Sequence, residues 1–408
     1  MLTFLLWVLA AVLACFALLS VVNTGRFIAY VRRELAHEAT PFTPRLSVIM
    51  PCKGVDPGFH ENVRSLLEQD YPDFELLFVT ATSDDPARAG LEELLATHSD
   101  TRASLLVAGI QPGRSQKLNN QLFACARVRP DAEALVFADS DVRAQPTFLR
   151  DLVAPLGEGG VGASTGFRWY IPAGGGAASY LRATWNGGGL PMLAHPKLAY
   201  AWGGSMAILR ETFERADVAG RWSVALTDDF PLTDAVRKLG LRVKFVPRCL
   251  LGSHEDAVLA DVVEWTNRQT VICRVYNPAL WWGILTFHGI HALGLIAALS
   301  ALSARALWPA VPLSCWPAVA MLGLMPVEAI AGLFLWGTVR RLLPGVGGWR
   351  RALRHVALAP AAVLLIFYNS VHSLLTHDIC WRGVTYRLHS PSHTEVLSER
   401  AAVNAGEA

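Results

Sequence analysis

Two carboxylates one residue apart, Asp139 and Asp141, follow the apolar run Leu135 to Ala138 and flank Ser140. Hard oxygen donors in that pattern suit a divalent cation, Mg2+ or Mn2+, that bridges a diphosphate and neutralises charge growing on a leaving nucleotide. The spacing also fits an ordinary turn, and its position at the end of a strand-like run is what argues for a metal. A second acidic pair, Asp228 and Asp229 between Thr227 and Phe230, opens a helix-like segment. It reads as a helix N-cap, or as a substrate-binding Asp228 beside a catalytic Asp229 that takes the proton from an attacking hydroxyl. Partial desolvation would raise the pKa of such a carboxylate and make it a better base. Ser83-Asp84-Asp85-Pro86 fits a surface turn or, through Asp85, hydrogen bonding to a nucleoside. Lys117 is a solvated charge or, facing a diphosphate, its counter-charge. His254, within Gly252 to Asp256, is a turn residue or a further metal ligand.

The chain that must position these residues is too apolar for a soluble enzyme. Of 408 residues, 52% are hydrophobic and 17% charged, and mean hydropathy is +0.32. Such a balance calls for membrane spans. A net charge of +2 lacks the strongly basic balance of a nucleic-acid binder. The seven cysteines are scattered, with no CxxC pair or Cys/His cluster, which points to a reducing compartment and away from a zinc site.

Residues 1–24 contain an uninterrupted apolar run, Leu2 to Val22, long enough to cross a ~30 Å hydrocarbon core. The first basic residues, Arg26, Arg32 and Arg33, come after it, which predicts an anchor with its C-terminal end in the cytoplasm. Residues 45–276 read as a cytoplasmic α/β domain, with strands such as Leu46 to Met50, Glu75 to Val79 and Ala134 to Ala138 alternating with helix-length segments. Ligands of an open α/β sheet gather beyond the carboxyl ends of its strands. Pro51 to Gly54, Ser83 to Asp85 and Asp139 to Asp141 are therefore expected at one crevice.

Membrane character returns over residues 279–376 in three blocks, Ala279 to Leu302, Leu307 to Val339 and His355 to Thr376. Arg340, Arg341, Arg350, Arg351 and Arg354 cluster between the second and third, on the domain's side by the positive-inside rule. One crossing per block then leaves the C-terminal tail, residues 377–408, outside, with a polar end after about Ser390. The length of the second block, and His355, Pro360 and His372 in the third, also admit either block as a re-entrant or interfacial hairpin. Trp281 and Trp282 fit an interfacial aromatic belt or the wall of a lipid groove.

Seven motifs in order resemble the ceramide glucosyltransferase group of inverting GT-A glycosyltransferases. They are Pro51 to Pro57 (PCKGVDP), Asp70-Tyr71-Pro72, Asp84-Asp85-Pro86, Lys117 to Asn120 (KLNN), Asp139-Ser140, Gly203 to Met206 (GGSM) and Asp228-Asp229-Phe230. Ile379 to Leu388 (ICWRGVTYRL) is similar to the ending that group carries after its last membrane segment, so the likeness spans about residues 45 to 390. It implies an α/β GT-A-type nucleotide-sugar-binding domain with transmembrane helices at both ends, a UDP-sugar donor and a membrane lipid acceptor. By the same likeness Asp85 contacts the nucleotide, Asp139 the metal and diphosphate, and Asp229 is the catalytic base. Lys53 and Lys117 fall near the nucleotide and its phosphates. Arg268 matches the arginine of the group's Arg-Trp signature and would pair with the diphosphate, but Gln269 stands where the tryptophan belongs and Trp265 where Gln or Arg does. That departure leaves the acceptor as a lipid hydroxyl of ceramide, hopanoid or diacylglycerol type. Asp141 makes a fuller DxD than animal-type members carry, which favours a metal. A processive polysaccharide synthase shares the same parts, but the short run of membrane blocks and the altered signature disfavour it. An inactive scaffold is disfavoured by retention of all three acids.

Overall fold

The first helix is longer than the anchor that composition marks out. The computed structural model describes residues 1–37, 41–98, 102–308, 310, 314–343 and 345–399. In it α1 (Leu2–Ala36) has 35 residues, about 52 Å at 1.5 Å per residue against a ~30 Å hydrocarbon core. Its last turns leave the apolar run and clamp onto the α/β domain. Tyr30 donates its hydroxyl to Phe245 O at 2.5 Å, and Glu34 pairs with Lys244 at 2.9 Å. Residues 1–24 thus bound the apolar stretch, whereas the helix runs on to Ala36.

The domain opens with β1 (Leu46–Pro51), α2 (Phe59–Leu67), β2 (Phe74–Thr80), α3 (Ala87–Thr97), β3 (Ala103–Val107), α4 (Gln116–Cys125) and β4 (Ala134–Ala138). It continues through α5 (Phe148–Val153), β5 (Val161–Tyr170), α6 (Ala177–Gly187), β6 (Ser205–Leu209), α7 (Arg210–Arg215), α8 (Val218–Trp222), α9 (Asp229–Lys238) and β7 (Arg242–Ser253). The seven strands lie in the order β3-β2-β1-β4-β6-β5-β7, parallel except for β6, which runs against both β4 and β5. Side chains alternate between two buried faces. Val48, Met50, Val136 and Ala138 pack under α2, α3 and α5, and Ile49, Leu135 and Phe137 pack against α4, α8 and α9. Burial on both faces is why these strands read as unbroken apolar runs.

After α10 (Leu259–Tyr276) come α11 (Pro278–Leu307), α12 (Trp316–Leu342) and α13 (Trp349–Leu375). With α1, these last three are the helices among the described residues long and apolar enough to cross a membrane. α1, α11 and α12 pack closely through small residues, Ala10, Ala298, Ala301 and Ala318, as membrane helices do in the absence of a hydrophobic drive.

α13 makes different contacts. Near its start, His355 Nδ1 lies 3.1 Å from Thr184 Oγ1 of α6. Near its end, Asn369 accepts from Trp185 Nε1 at 3.1 Å and donates to Thr266 Oγ1 at 3.0 Å and Asn267 Oδ1 at 2.7 Å. Asn369, Ser370 and Ser373 are fully buried, while Leu364, Tyr368, Val371 and Leu375 form an exposed stripe. α13 therefore turns one polar face to the domain and one apolar face outward, and packs along α11, where Phe367 lies against Gly289. Trp281 is turned the same way, 2% exposed and donating from Nε1 to Ser373 Oγ at 3.0 Å, whereas Trp282 is 58% exposed.

The C-terminal tail is folded, including part of the polar end after Ser390. β8 (Asp378–Trp381), β9 (Val384–Ser390) and β10 (His393–Glu399) form an antiparallel sheet in the order β10-β9-β8; residues 400–408 of that expected tail lie outside the described residues. Ile379, Val384, Tyr386 and Leu388 pack with Val271 and Ile272 of α10. In the β8–β9 turn, Arg382 Nη1 donates to Lys53 O at 2.6 Å and Nη2 to Asp56 Oδ1 at 2.8 Å. A tail bonded to the loop after β1 cannot sit on the far side of the membrane. One crossing per C-terminal block, which would part the tail from the domain, is therefore replaced by an even number of crossings among α11, α12 and α13. Cysteines introduced by Glu92→Cys and Ser392→Cys are expected to react with a membrane-impermeant maleimide from the same face of sealed vesicles. Labelling from opposite faces would restore one crossing per block.

Candidate active site

Beyond the ends of β4 and β5 the acidic motifs meet two cations. Lys117, in the first turn of α4, lies 2.7 Å from Asp139 Oδ1 and 3.0 Å from Asp228 Oδ2. Ser115 Oγ accepts from Leu118 N at 3.3 Å, and this cap starts the helix where Lys117 faces the carboxylates. Arg168, near the end of β5, holds the other side. Its Nη2 donates to Asp139 Oδ2 at 3.0 Å and Asp141 Oδ1 at 2.6 Å, and its Nη1 to Asp141 Oδ2 at 2.8 Å. Asp228 stands at the N-cap of α9, yet its side chain caps nothing; besides Lys117 it accepts from Gln121 Nε2 at 2.9 Å. The two glycines of the GGSM motif make room for the acids. A Cβ on Gly203 would fall 2.2 Å from the Asp228 carboxylate, and one on Gly204 2.7 Å from Asp139 Oδ2.

Burial and charge set these groups apart electrostatically. Burial pushes the Asp139 carboxyl up, but Lys117 and Arg168 outweigh it and hold the group below its ordinary range. Burial raises Asp141, and the Asp139 charge adds to this against the pull of Arg168. Asp229 is pushed up to about 6, first by burial and then by Asp228. Hydrogen bonds to its Oδ1 from Thr227 Oγ1 at 2.5 Å and Phe230 N at 2.7 Å oppose that shift. A carboxylate titrating near 6 is suited to general-base work at neutral pH.

Lys53, Lys117, Asp139, Asp141, Asp228, Asp229 and Arg268 all line one cavity of about 1440 Å³. From the acids it passes Thr270, Cys273 and Leu280 and runs on between α11, α12 and α13. Asp85 is not in its wall. Its Oδ1 accepts from Gly54 N and Ala87 N, each at 2.9 Å, and so ties down the loop that carries Lys53. His254 is exposed and also absent from the wall. Burial lowers Arg268 to about 10; its Nη1 donates to Cys380 O at 3.2 Å, and its guanidinium lies 5.5 Å from the Trp381 ring centroid. Arg268 of α10 is thus held against the folded tail, through β8, and Gln269 makes no such contact in its place. Spacing along the chain does not reveal Arg168 or Arg382, which reach the site through sheet order and the folded tail. The faint signals are a basic residue beside Trp169 and Tyr170 at a strand end, and the Trp381-Arg382 pair.

Asp139 and Asp141 offer the hard oxygens that Mg2+ or Mn2+ takes, but all four of those oxygens already accept from Lys117 or Arg168. Among the described residues no group of three or more His, Cys, Asp or Glu side chains could hold a metal. The pair fits a cation whose shell is completed by substrate phosphate oxygens and water.

Fold and site together define a protein of the GT-A type, its buried carboxylates opening onto a cavity between helices long and apolar enough to cross a membrane. Sequence comparison extends this likeness through both the first helix and the folded tail. The chain belongs to glycosyl transferase family 21, whose family model matches residues 5–393. Ceramide glucosyltransferase 1 of Caenorhabditis elegans is 29% identical over 119 residues, 29% of this chain and 25% of the relative. Ceramide glucosyltransferase 3 of the same organism is 30% identical over 99 residues, 24% of this chain and 22% of the relative. The matched segment spans about a quarter of each relative's length. Among solved structures, the mannosyltransferase PcManGT from Pyrobaculum calidifontis in complex with GDP-Man and Mn2+ aligns at a TM-score of 0.48 and 17% identity, over 90% of this chain and 99% of that one.

The raised pKa of Asp229 carries a cost in stability. From its ordinary value of 3.8 to about 6, the folded state holds a proton that the unfolded state has lost. Stability therefore falls as pH rises through that window, and the loss is complete above it. Asp229→Asn keeps an oxygen for Thr227 and Phe230. It is expected to raise Tm near neutral pH, by about 1 °C for each kcal/mol relieved in a chain of 408 residues, and to leave it unchanged below about pH 4. Calorimetry at the two pH values checks this, and a lowered Tm at neutral pH would contradict it.

Proposed function

We propose that the protein transfers a hexose from a UDP-sugar to a hydroxyl of a membrane lipid, with inversion, at the cytoplasmic face of the membrane. The observation that carries this reading is one continuous cavity, charged around Asp139, Asp228 and Asp229 and apolar where it runs between the membrane helices. The charged end suits a nucleoside diphosphate and the apolar end a lipid, so donor and acceptor meet at the acids. Lys53, Lys117, Arg168, Arg268 and Arg382 supply the positive charge that a departing diphosphate needs. Arg168 is placed to move its planar guanidinium from the carboxylates to phosphate oxygens. A divalent cation held by Asp139 and Asp141 would add charge stabilisation on the leaving group. Asp229 takes the proton from the lipid hydroxyl as its oxygen attacks the anomeric carbon opposite the leaving group, and attack from that face inverts the centre.

The names of the two nematode relatives support a sphingolipid-type acceptor. Gln269, where the group's signature has tryptophan, leaves hopanoid and diacylglycerol hydroxyls as alternative acceptors. Arg340, Arg341, Arg350, Arg351 and Arg354 lie at the adjoining ends of α12 and α13, where α12 meets the domain through Gln145 and Leu342. Basic residues there support a cytoplasmic domain.

Asp229→Asn is expected to lower turnover by roughly 10²- to 10⁴-fold while UDP-sugar binding changes little. In the native protein, kcat/KM is expected to fall as pH drops through about 6, since protonated Asp229 accepts no proton. Expression in a host lacking glycolipids, with mass spectrometry of its lipids and the Asp229→Asn variant as control, tests both the activity and the acceptor. Near-normal product from that variant would remove Asp229 from the role of base.

A further inference from the structure

The membrane end of the cavity is not wholly apolar. His288 and His291 on α11 and Glu328 on α12 line it. Tyr276, just before α11, stacks on Phe230 at 6.2 Å and accepts from Leu226 N at 2.8 Å, so α11 starts at the level of Asp229. His288 and His291 then lie about 15 and 20 Å further along the helix. Glu328 lies about 21 Å from the domain end of α12. All three therefore fall near the middle of a ~30 Å hydrocarbon layer, where ionisable groups are costly and mark function.

Two of the three have a structural explanation. His291 Nε2 lies 3.0 Å from Glu328 Oε1 and its Nδ1 2.8 Å from Phe287 O, a polar staple between α11 and α12. His288 has none: its Nδ1 is enclosed and has no hydrogen-bond partner. An orphaned acceptor is better tolerated than an orphaned N–H, so the proton of the neutral ring belongs on Nε2, which is left to donate into the cavity. His288 and His291 share one helix face three residues apart. Two histidines and a glutamate could also suggest a metal, but no such group among the described residues has the arrangement to hold one.

We propose that His288, beside the His291–Glu328 pair, is a second polar subsite that selects lipids carrying a hydroxyl or carbonyl about 15–20 Å along their apolar part from the accepting hydroxyl. This rests on the lipid-acceptor reading above. A hydroxyl suits the subsite best, since it accepts from His288 Nε2 and can donate to the neighbouring carboxylate. The amide of a ceramide sits too close to the accepting hydroxyl to reach this depth, so the selection falls on the chain and not on the headgroup.

The test uses the full-length chain in bicelles and two acceptors with one headgroup, differing only in a chain hydroxyl at that depth. The hydroxylated lipid is expected to be favoured by roughly 10- to 100-fold in kcat/KM. His288→Leu should bring the ratio close to one, and His288→Gln, which restores an N–H donor, should keep part of it. Equal use of the two lipids by the native protein, or a preference that survives His288→Leu, overturns the subsite and leaves lipid transfer standing. Transfer to neither lipid while UDP-sugar is still turned over would overturn the lipid reading, and the subsite with it.

Discussion

The arrangement of the site depends on Lys117 standing between Asp139 and Asp228. Buried carboxylates this close repel one another, and burial favours their protonated forms, so without a cation among them some would lose their charge. Lys117 on one side and Arg168 on the other hold Asp139 ionised. What they do not offset appears at Asp229, where burial and the Asp228 charge leave a carboxyl that titrates near 6. The same repulsion that would be a defect in a structural core leaves a carboxyl that titrates near neutral pH at the edge of the network. Removing one member of such a buried cluster leaves the rest uncompensated, which is costlier than never having built it.

That network also decides which parts of the fold must be rigid. Lys117 comes from α4, Asp139 from the end of β4, Arg168 from β5 and Asp228 from the start of α9, so the sheet order brings four separate segments to one point. β6, antiparallel between β4 and β5, brings Gly203 and Gly204 against the carboxylates. The tail then closes the site from outside the sheet, with Arg382 on the loop after β1 and Trp381 over Arg268. The domain and its membrane helices are not joined by a flexible tether. α1 clamps to β7, α12 to the loop before α5 and α13 to α6 and α10, and one cavity therefore runs through both.

Much of this was legible from residue order. Buried strands announce themselves as apolar runs, and Ala134 to Ala138 form β4 with the boundaries read from the sequence. The acidic motifs fall at strand and helix ends, where side chains project into the crevice. The membrane blocks were legible as apolar stretches but not as crossings, because hydropathy counts the residues of a helix without knowing which face is covered. α13 has the composition of a span, yet Asn369, Ser370 and Ser373 are spent on contacts with the domain.

Sequence alone determined the α/β domain, its apolar helices and the order of the acids, since each follows from local patterning that needs no partner. Tertiary structure decided which cations meet those acids, that Asp85, itself outside the cavity wall, ties down the loop that carries Lys53, that Arg268 meets Trp381, and that the tail returns to the domain. Those outcomes depend on pairings between residues dozens to hundreds of positions apart. No local pattern encodes such pairings, because they exist only once the sheet order and the packing of α13 have brought the segments together.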